Sequence, residues 1–194
     1  MDLVLIRHGL PERREDTADP PLTPEGLDQA MRVAELLSGE NVDAVFSSTM
    51  VRAIQTAEPY AAVSGHDIQL REGIVEFDRG TGQYVPMEVL KRDDYEAWKA
   101  FVSGGYQMDI STFQKAVVDT LEDIIATNPS KAVAVFCHGG VINVWTAHIL
   151  GMAPRLFFEP GYASVHRYLC ARSGERNLVS LNERAHLKDL VVDG

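Results

Sequence analysis

Short runs of consecutive apolar residues alternate along this chain with longer stretches in which apolar residues recur every third or fourth position. Leu3-Val4-Leu5-Ile6 is such a run, the mark of a strand buried on both faces. A polar, proline-marked loop from Leu10 to Leu22 leads to Thr23-Pro24-Glu25-Gly26, where Thr23 as N-cap and Pro24 in the first turn predict a helix start. Leu27, Met31, Ala34 and Leu37 follow at helical spacing as its apolar face, and Gly39 ends it. Ala44 to Ser47 reads as a second strand, Thr49 to Val63 as a helix with Gly65 beyond its end, and Ile68-Gln69-Leu70 as a third strand. The pattern weakens from Glu72 to Tyr106, where Gly73, Gly80, Gly82, Gly104 and Pro86 interrupt it around one short helix at Tyr95 to Val102. It resumes at Ser111-Thr112-Phe113-Gln114, read as a capping box, and Phe113, Val117, Leu121, Ile124 and Ile125 carry a helix to Asn128-Pro129. Ala132 to Cys137 is the clearest buried strand. A helix from about Val141 to Leu150 follows, closed by Gly151 and Pro154, and two more strands are expected at Val165 to Cys170 and Leu178 to Leu181.

This β-α-β-α-β order predicts a three-layer α/β/α sandwich with a mostly parallel central sheet. The 194 residues are expected to form one domain, with residues 72–110 as a helical and loop excursion that covers one end of the sheet. Apolar residues at 45% and charged residues at 24% exclude disordered, collagen-like and coiled-coil classes. The formal net charge of −10 argues against nucleic acid or an anionic membrane as partner, yet leaves room for a small anion where a few arginines reverse the local field. Cys137 and Cys170 form no CxxC pair, the N-terminus is too short and acidic for a signal peptide, and no apolar run approaches the roughly 18 residues of a membrane span. A soluble cytoplasmic protein is the expectation.

In open α/β sheets ligands bind beyond the carboxyl ends of the strands. Arg7-His8-Gly9 follows the first strand. Ser47-Ser48 and then Arg52 follow the second, Glu72 and Glu76 the third, and His138-Gly139-Gly140 the strongest. Two arginines, two histidines and a carboxylate therefore converge on one end of one sheet. Guanidinium groups match phosphoryl oxygens with paired donors, glycines such as Gly9, Gly139 and Gly140 permit close backbone approach, and helix starts near Arg52 and Val141 add positive dipole. A compact dianion such as a phosphoryl group fits. Imidazole attacks phosphorus when one ring nitrogen is unprotonated and the other donates to a fixed acceptor such as a backbone carbonyl, and a carboxylic acid opposite can protonate the leaving oxygen.

Arg7-His8-Gly9, Leu22-Thr23-Pro24-Glu25-Gly26, Phe46-Ser47-Ser48 with Arg52-Ala53-Ile54-Gln55-Thr56-Ala57, and His138-Gly139-Gly140 together resemble the histidine phosphatase superfamily, in the branch that includes cofactor-dependent phosphoglycerate mutases. The resemblance runs from residue 3 to about residue 145. It implies His8 as nucleophile of a phosphohistidine intermediate, Arg7 and Arg52 as clamps on the phosphoryl group, His138 as the fourth member of that pocket, and Glu76 as general acid, with Glu72 and Asp78 as neighbouring candidates. It implies no metal and no other cofactor. Leu10-Pro11-Glu12-Arg13-Arg14 replaces the Glu-Ser and Trp-Asn with which mutases continue, and the segment from Glu76 to Ser111 is short for a mutase. Both departures favour a phosphatase acting on the phosphomonoester of a small metabolite. A phosphoglycerate mutase and a catalytically idle phosphate-binding regulatory module are the rival readings, and a homodimer is left open.

The other candidates read as structural. His66 belongs to a surface turn, His148 to a helix, His166 to a strand and His186 to the tail. Asp93-Asp94 suits a solvated face, Arg13 and Arg14 a solvated loop, and Cys137 a small buried hydrophobe. Phe77, Tyr84, Tyr95, Trp98 and Tyr106 lie in the covering segment, where packing is the commoner fate of aromatic residues than lining a pocket.

Overall fold

The computed structural model describes residues 1–194 apart from 15, 81–86, 107, 189 and 191–194. Gly82, Tyr84 and Pro86 of the covering segment lie outside the described residues. In chain order the regular elements are β1 (Asp2–Arg7), α1 (Pro24–Ser38), β2 (Ala44–Ser48), α2 (Val51–Ser64), β3 (Ile68–Arg71), α3 (Met87–Asp93), α4 (Tyr95–Val102), α5 (Ile110–Thr127), β4 (Ala132–Cys137), α6 (Gly139–Ile149), β5 (Val165–Cys170) and β6 (Arg176–Glu183). Among the described residues the strands form one sheet in the order β3-β2-β4-β1-β5-β6. β3, β2, β4 and β1 are mutually parallel, whereas β5 runs antiparallel to β1 and β6 antiparallel to β5.

Alternation along the central strands builds two cores. Leu3 and Leu5 face the side covered by α5 and α6, with Val117, Leu121, Val141 and Trp145. Val4 and Ile6 face the side covered by α1 and α2, with Val33, Leu37, Ala57 and Tyr60. This is the three-layer arrangement that the apolar runs predict. The register then sets the site. Arg7 pairs with Cys137 and Ser47 with Phe136, so the chain leaves β1, β2 and β4 at one level. Residues 155–160 line the cavity at this end, so the chain enters β5 from there and must run against β1.

Three local expectations need correction. On α1, Leu27 and Met31 are 45% and 52% exposed; the buried face is Gly26, Gln29, Ala30, Val33, Ala34 and Leu37. Small residues let α1 approach the sheet and the loop before it, and Gln29 is drawn inward because its Oε1 accepts the Leu10 N–H at 2.8 Å. The cap of α5 is Asp109, not Ser111. Its carboxylate accepts both the Ser111 and Thr112 amides at 3.0 and 3.1 Å, while Gln114 turns away to donate to the Val144 carbonyl. The helix expected from Val141 begins at Gly139, immediately after the site histidine.

Candidate active site

His8 sits at the end of β1 with its backbone held on both sides. Its N–H donates to the Cys137 carbonyl at 3.0 Å, and its carbonyl accepts the Ala163 N–H at 3.1 Å. The ring is buried, and Nδ1 lies 2.8 Å from the carbonyl oxygen of Gly9. A carbonyl can only accept, so the proton sits on Nδ1 and Nε2 presents a lone pair. That lone pair receives the Arg52 Nε–H at 3.2 Å. Burial, and then the guanidinium charges of Arg52 and Arg7, hold His8 well below the ordinary histidine range, so the ring is neutral at working pH.

The segment Arg52-Ala53-Ile54-Gln55-Thr56 fixes this turn from α2. Thr56 Oγ1 accepts the Gly9 N–H at 3.0 Å, and Gln55 Oε1 accepts the Leu22 N–H at 2.7 Å. Gly9 therefore spends its amide on Thr56. A Cβ at Gly9 would come within 2.5 Å of the Gly26 carbonyl oxygen, so this glycine serves the approach of α1 to the turn. Arg52 is fully buried, with Nη1 on the Ala18 carbonyl and ion pairs to Asp19 at 3.5 Å and Asp78 at 3.3 Å. Arg7 lines the cavity at this end, whereas Arg52 and His138 lie buried behind its lining; the Arg7 guanidinium is 4.0 Å from the centre of the Tyr162 ring and donates to the Pro160 carbonyl.

The His138 ring lies 5.2 Å from that of His8, centre to centre. Its Nε2 is 2.8 Å from Ser48 Oγ, which also accepts the Met50 N–H at 3.2 Å. Its Nδ1 is buried and has no hydrogen-bond partner among the described residues. His138 stands at the N-cap position of α6 but makes no side-chain cap bond. Burial, followed by the Arg52 charge, the repulsion that a protonated His8 would exert, and the Arg7 charge, pushes its pKa well down.

Of the three carboxylates weighed from sequence, Glu72 lies at the surface on Arg79, and Asp78 is engaged by Arg52. Glu76 is buried against the start of α6. Its Oε2 accepts the Gly140 N–H at 2.9 Å and its Oε1 the Phe77 N–H at 3.1 Å. Burial, and then the nearby Asp78 carboxylate, push it up to about 7, outweighing the two amides and Arg52. Gly139 lines the cavity too, and a Cβ there would make only ordinary contact, 3.7 Å from Arg7 Nε. Among the described residues no group of three or more His, Cys, Asp or Glu side chains is arranged to hold a metal ion.

Arg7, His8, Glu76 and Gly139 open into one cavity of about 390 Å³. Its upper walls contain residues that the sequence pattern did not single out, including Phe101 of α4, Asn143 of α6 and Arg155 to Pro160. They carry no motif, and only the path of the chain brings them here. Phe77 and Trp98 line the cavity, while Tyr95 stacks on Trp98 and Tyr106 packs on Phe101. The remaining candidates lie elsewhere. His166 is buried between Ser164 and Asn182, where burial lowers it to about 3; His66 stacks on Tyr60, and His148 is exposed. The Cys137 thiol is buried and its pKa is pushed up. No helix among the described residues is long and apolar enough to cross a membrane.

A family profile for the histidine phosphatase superfamily (branch 1) matches residues 3–184. The chain belongs to that superfamily. Among relatives, this histidine phosphatase is 26% identical to phosphoserine phosphatase 1 of Hydrogenobacter thermophilus over 206 residues, 98% of this chain and 96% of the other. A probable phosphoglycerate mutase of Salmonella choleraesuis is 31% identical over 112 residues, 55% of this chain and 52% of its own. Among solved structures, phosphoserine phosphatase from Entamoeba histolytica, in complex with 3-phosphoglyceric acid, superposes with a TM-score of 0.78 at 30% identity. That match covers 96% of this chain and 98% of that one. A mycobacterial glucosyl-3-phosphoglycerate phosphatase, at 21% identity and a TM-score of 0.80, shares the fold of this histidine phosphatase.

Proposed function

We propose that this histidine phosphatase hydrolyses phosphomonoesters of small metabolites through a phosphohistidine on His8. The observation that carries the reading is the state of that ring: Nδ1–H tied to the Gly9 carbonyl, Nε2 unprotonated, and a guanidinium N–H 3.2 Å from Nε2. In the first step the Arg52 N–H passes from Nε2 to a phosphoryl oxygen, Nε2 donates its freed electron pair to phosphorus as the bond to the ester oxygen breaks, and Glu76 gives its proton to the departing alkoxide. Arg7, Arg52 and His138 hold the three remaining phosphoryl oxygens and offset the charge that accumulates on them. In the second step the Glu76 carboxylate takes a proton from water, the water oxygen bonds to phosphorus, and the bond to Nε2 breaks. Inorganic phosphate leaves and neutral His8 is restored. A carboxyl near pKa 7 serves both halves of this cycle, since acid and base forms coexist at neutral pH. α3 and α4, which contribute Met87, Trp98, Phe101 and Val102 to the cavity lining, act in this reading as the cover that keeps bulk water from the reacting centre.

The relatives named as phosphoserine phosphatases support phosphate release over phosphate transfer. Quenching turnover of a radiolabelled phosphate ester with alkaline detergent should trap label on the protein, in a base-stable linkage that subsequent acid treatment releases. His8→Ala should lose both the label and turnover, by on the order of 10⁴-fold or more. Substantial residual turnover in His8→Ala would remove the nucleophile assignment, and transfer of label to a second hydroxyl instead of free phosphate would make the enzyme a mutase.

A further inference from the structure

α4 is an amphipathic helix without one buried side chain. Its Trp98, Phe101 and Val102, at the i, i+3, i+4 spacing of one helical face, are half-buried and turned to the cavity above His8. The opposite wall is also apolar, formed by Leu156, Phe157 and Phe158. Both walls are braced. Asn143 Oδ1 accepts the Phe157 and Phe158 amides at 2.8 and 3.1 Å, and Asn143 Nδ2 donates to the Phe158 carbonyl at 3.0 Å, which pins that loop to α6. The Tyr106 hydroxyl accepts the Leu156 N–H at 3.0 Å while its ring meets Phe101 edge-on, joining one wall to the other. Phe101 in turn packs on Phe77 beside Glu76. Arg7, His8, Glu76 and Asp78 supply charged or polar lining beside the site, and Arg155 and Glu159 line the cavity too, with solvent-exposed side chains.

A phosphoryl group at His8 leaves its alcohol portion between these walls. The 390 Å³ of the cavity equals on the order of a dozen water volumes, far more than a phosphoryl group fills. A compact charged body such as serine or glycerate finds only the Arg52-paired Asp78 and the solvated Arg155 and Glu159 as charged partners, and leaves the apolar surface of both walls unfilled. We propose that the substrate's alcohol portion is an apolar body, an extended alkyl chain or a ring, so that this enzyme favours apolar phosphomonoesters over phosphoserine and phosphoglycerate. The inference rests on the phosphatase reading for the position of the phosphoryl group.

The test is a series of n-alkyl phosphates from ethyl to hexyl, whose leaving groups differ little in acidity, run beside phosphoserine and 3-phosphoglycerate. Burial of each methylene corresponds to at most about fourfold. We expect kcat/KM to rise two- to fourfold per methylene until the cavity fills, with hexyl phosphate at least tenfold above phosphoserine. Trp98→Ala should flatten this slope, costing hexyl phosphate several times more than ethyl phosphate. A flat or falling series, or a preference for phosphoserine or 3-phosphoglycerate, overturns the proposal. Calorimetry of the same esters with His8→Ala separates this result from the chemistry. Affinity that tightens with chain length while the wild type turns over none of the esters would sink the phosphatase reading and keep this one; affinity independent of chain length would sink this one even if turnover is normal.

Discussion

At the scale of single residues, His138 poses a question that His8 does not. The proton of His8 is placed by a carbonyl, whereas that of His138 depends on a hydroxyl that can donate or accept. Ser48 Oγ accepts the Met50 N–H and keeps a second lone pair, and we propose that its own proton goes to His138 Nε2. The imidazole proton then resides on Nδ1, the nitrogen without a partner, where it can meet a phosphoryl oxygen. Ser48 is a positioning residue in this argument. Ser48→Ala should lower kcat about 10–100-fold with a smaller change in KM, and Ser48→Thr, which keeps the hydroxyl, should restore most of it. Equal loss in both variants would point to packing instead. Arg7, His8, Arg52 and His138 were legible in the sequence because each follows a strand end in a fixed motif. Ser48 was visible beside them but not its task, which depends on a distance spanning 90 positions of the chain.

At the scale of elements, α6 explains why two glycines follow His138. The second is the crowded one. A Cβ at Gly140 would lie 2.2 Å from Glu76 Oε1 and 2.8 Å from Phe77 Cδ1, so the first turn of α6 can seat the Glu76 carboxyl only without a side chain. Gly140→Ala should displace Glu76 and act as a mild form of Glu76→Gln. Glu76→Gln should slow alkyl phosphates by about 10²–10⁴-fold, the usual range for loss of a general acid, Gly140→Ala by less, and both should slow aryl phosphates with good leaving groups much less. Equal slowing of both ester types would speak against a proton-donor role. The helices themselves show what periodicity can and cannot convey. β4 and α4 fall within the expected bounds because a continuous apolar run and a short amphipathic stretch each admit one reading. α1 was misfaced because its inner side is built from Gly26, Ala30 and Ala34, which carry little apolar weight, while the larger Leu27 and Met31 point outward. α3 had no signal of its own and follows a segment broken by glycine and proline.

At the scale of the whole molecule, a chain of net charge −10 holds a site in which Arg7 and Arg52 set the local potential, and the buried groups around them have opposite preferences for protons. Glu76 has a pKa raised from an ordinary 4.5 to about 7, chiefly by burial and then by Asp78. Between those two values the folded chain binds more protons than the unfolded one, so each rise in pH lowers stability, and the contribution that is complete below pH 4.5 is gone above about 7. The loss is about 3 kcal/mol at 1.4 kcal/mol per pH unit. His8 and His138 work in the other sense: both are held neutral when folded, and the unfolded chain gains protons at these positions as pH falls below about 6.5. Between pH 4.5 and about 7 the two trends therefore oppose each other in the wild type, and the Glu76 share is isolated by comparison with a side chain that never ionises. Glu76→Gln removes only the loss that accompanies rising pH. Its melting temperature should gain on the wild type by about 5–10 °C between pH 5 and pH 8, at about 2–4 °C per kcal/mol for a chain of this length. A difference between the two proteins that stays constant across that interval would place the Glu76 carboxyl at its ordinary pKa. It would also remove the reason for assigning it both proton transfers.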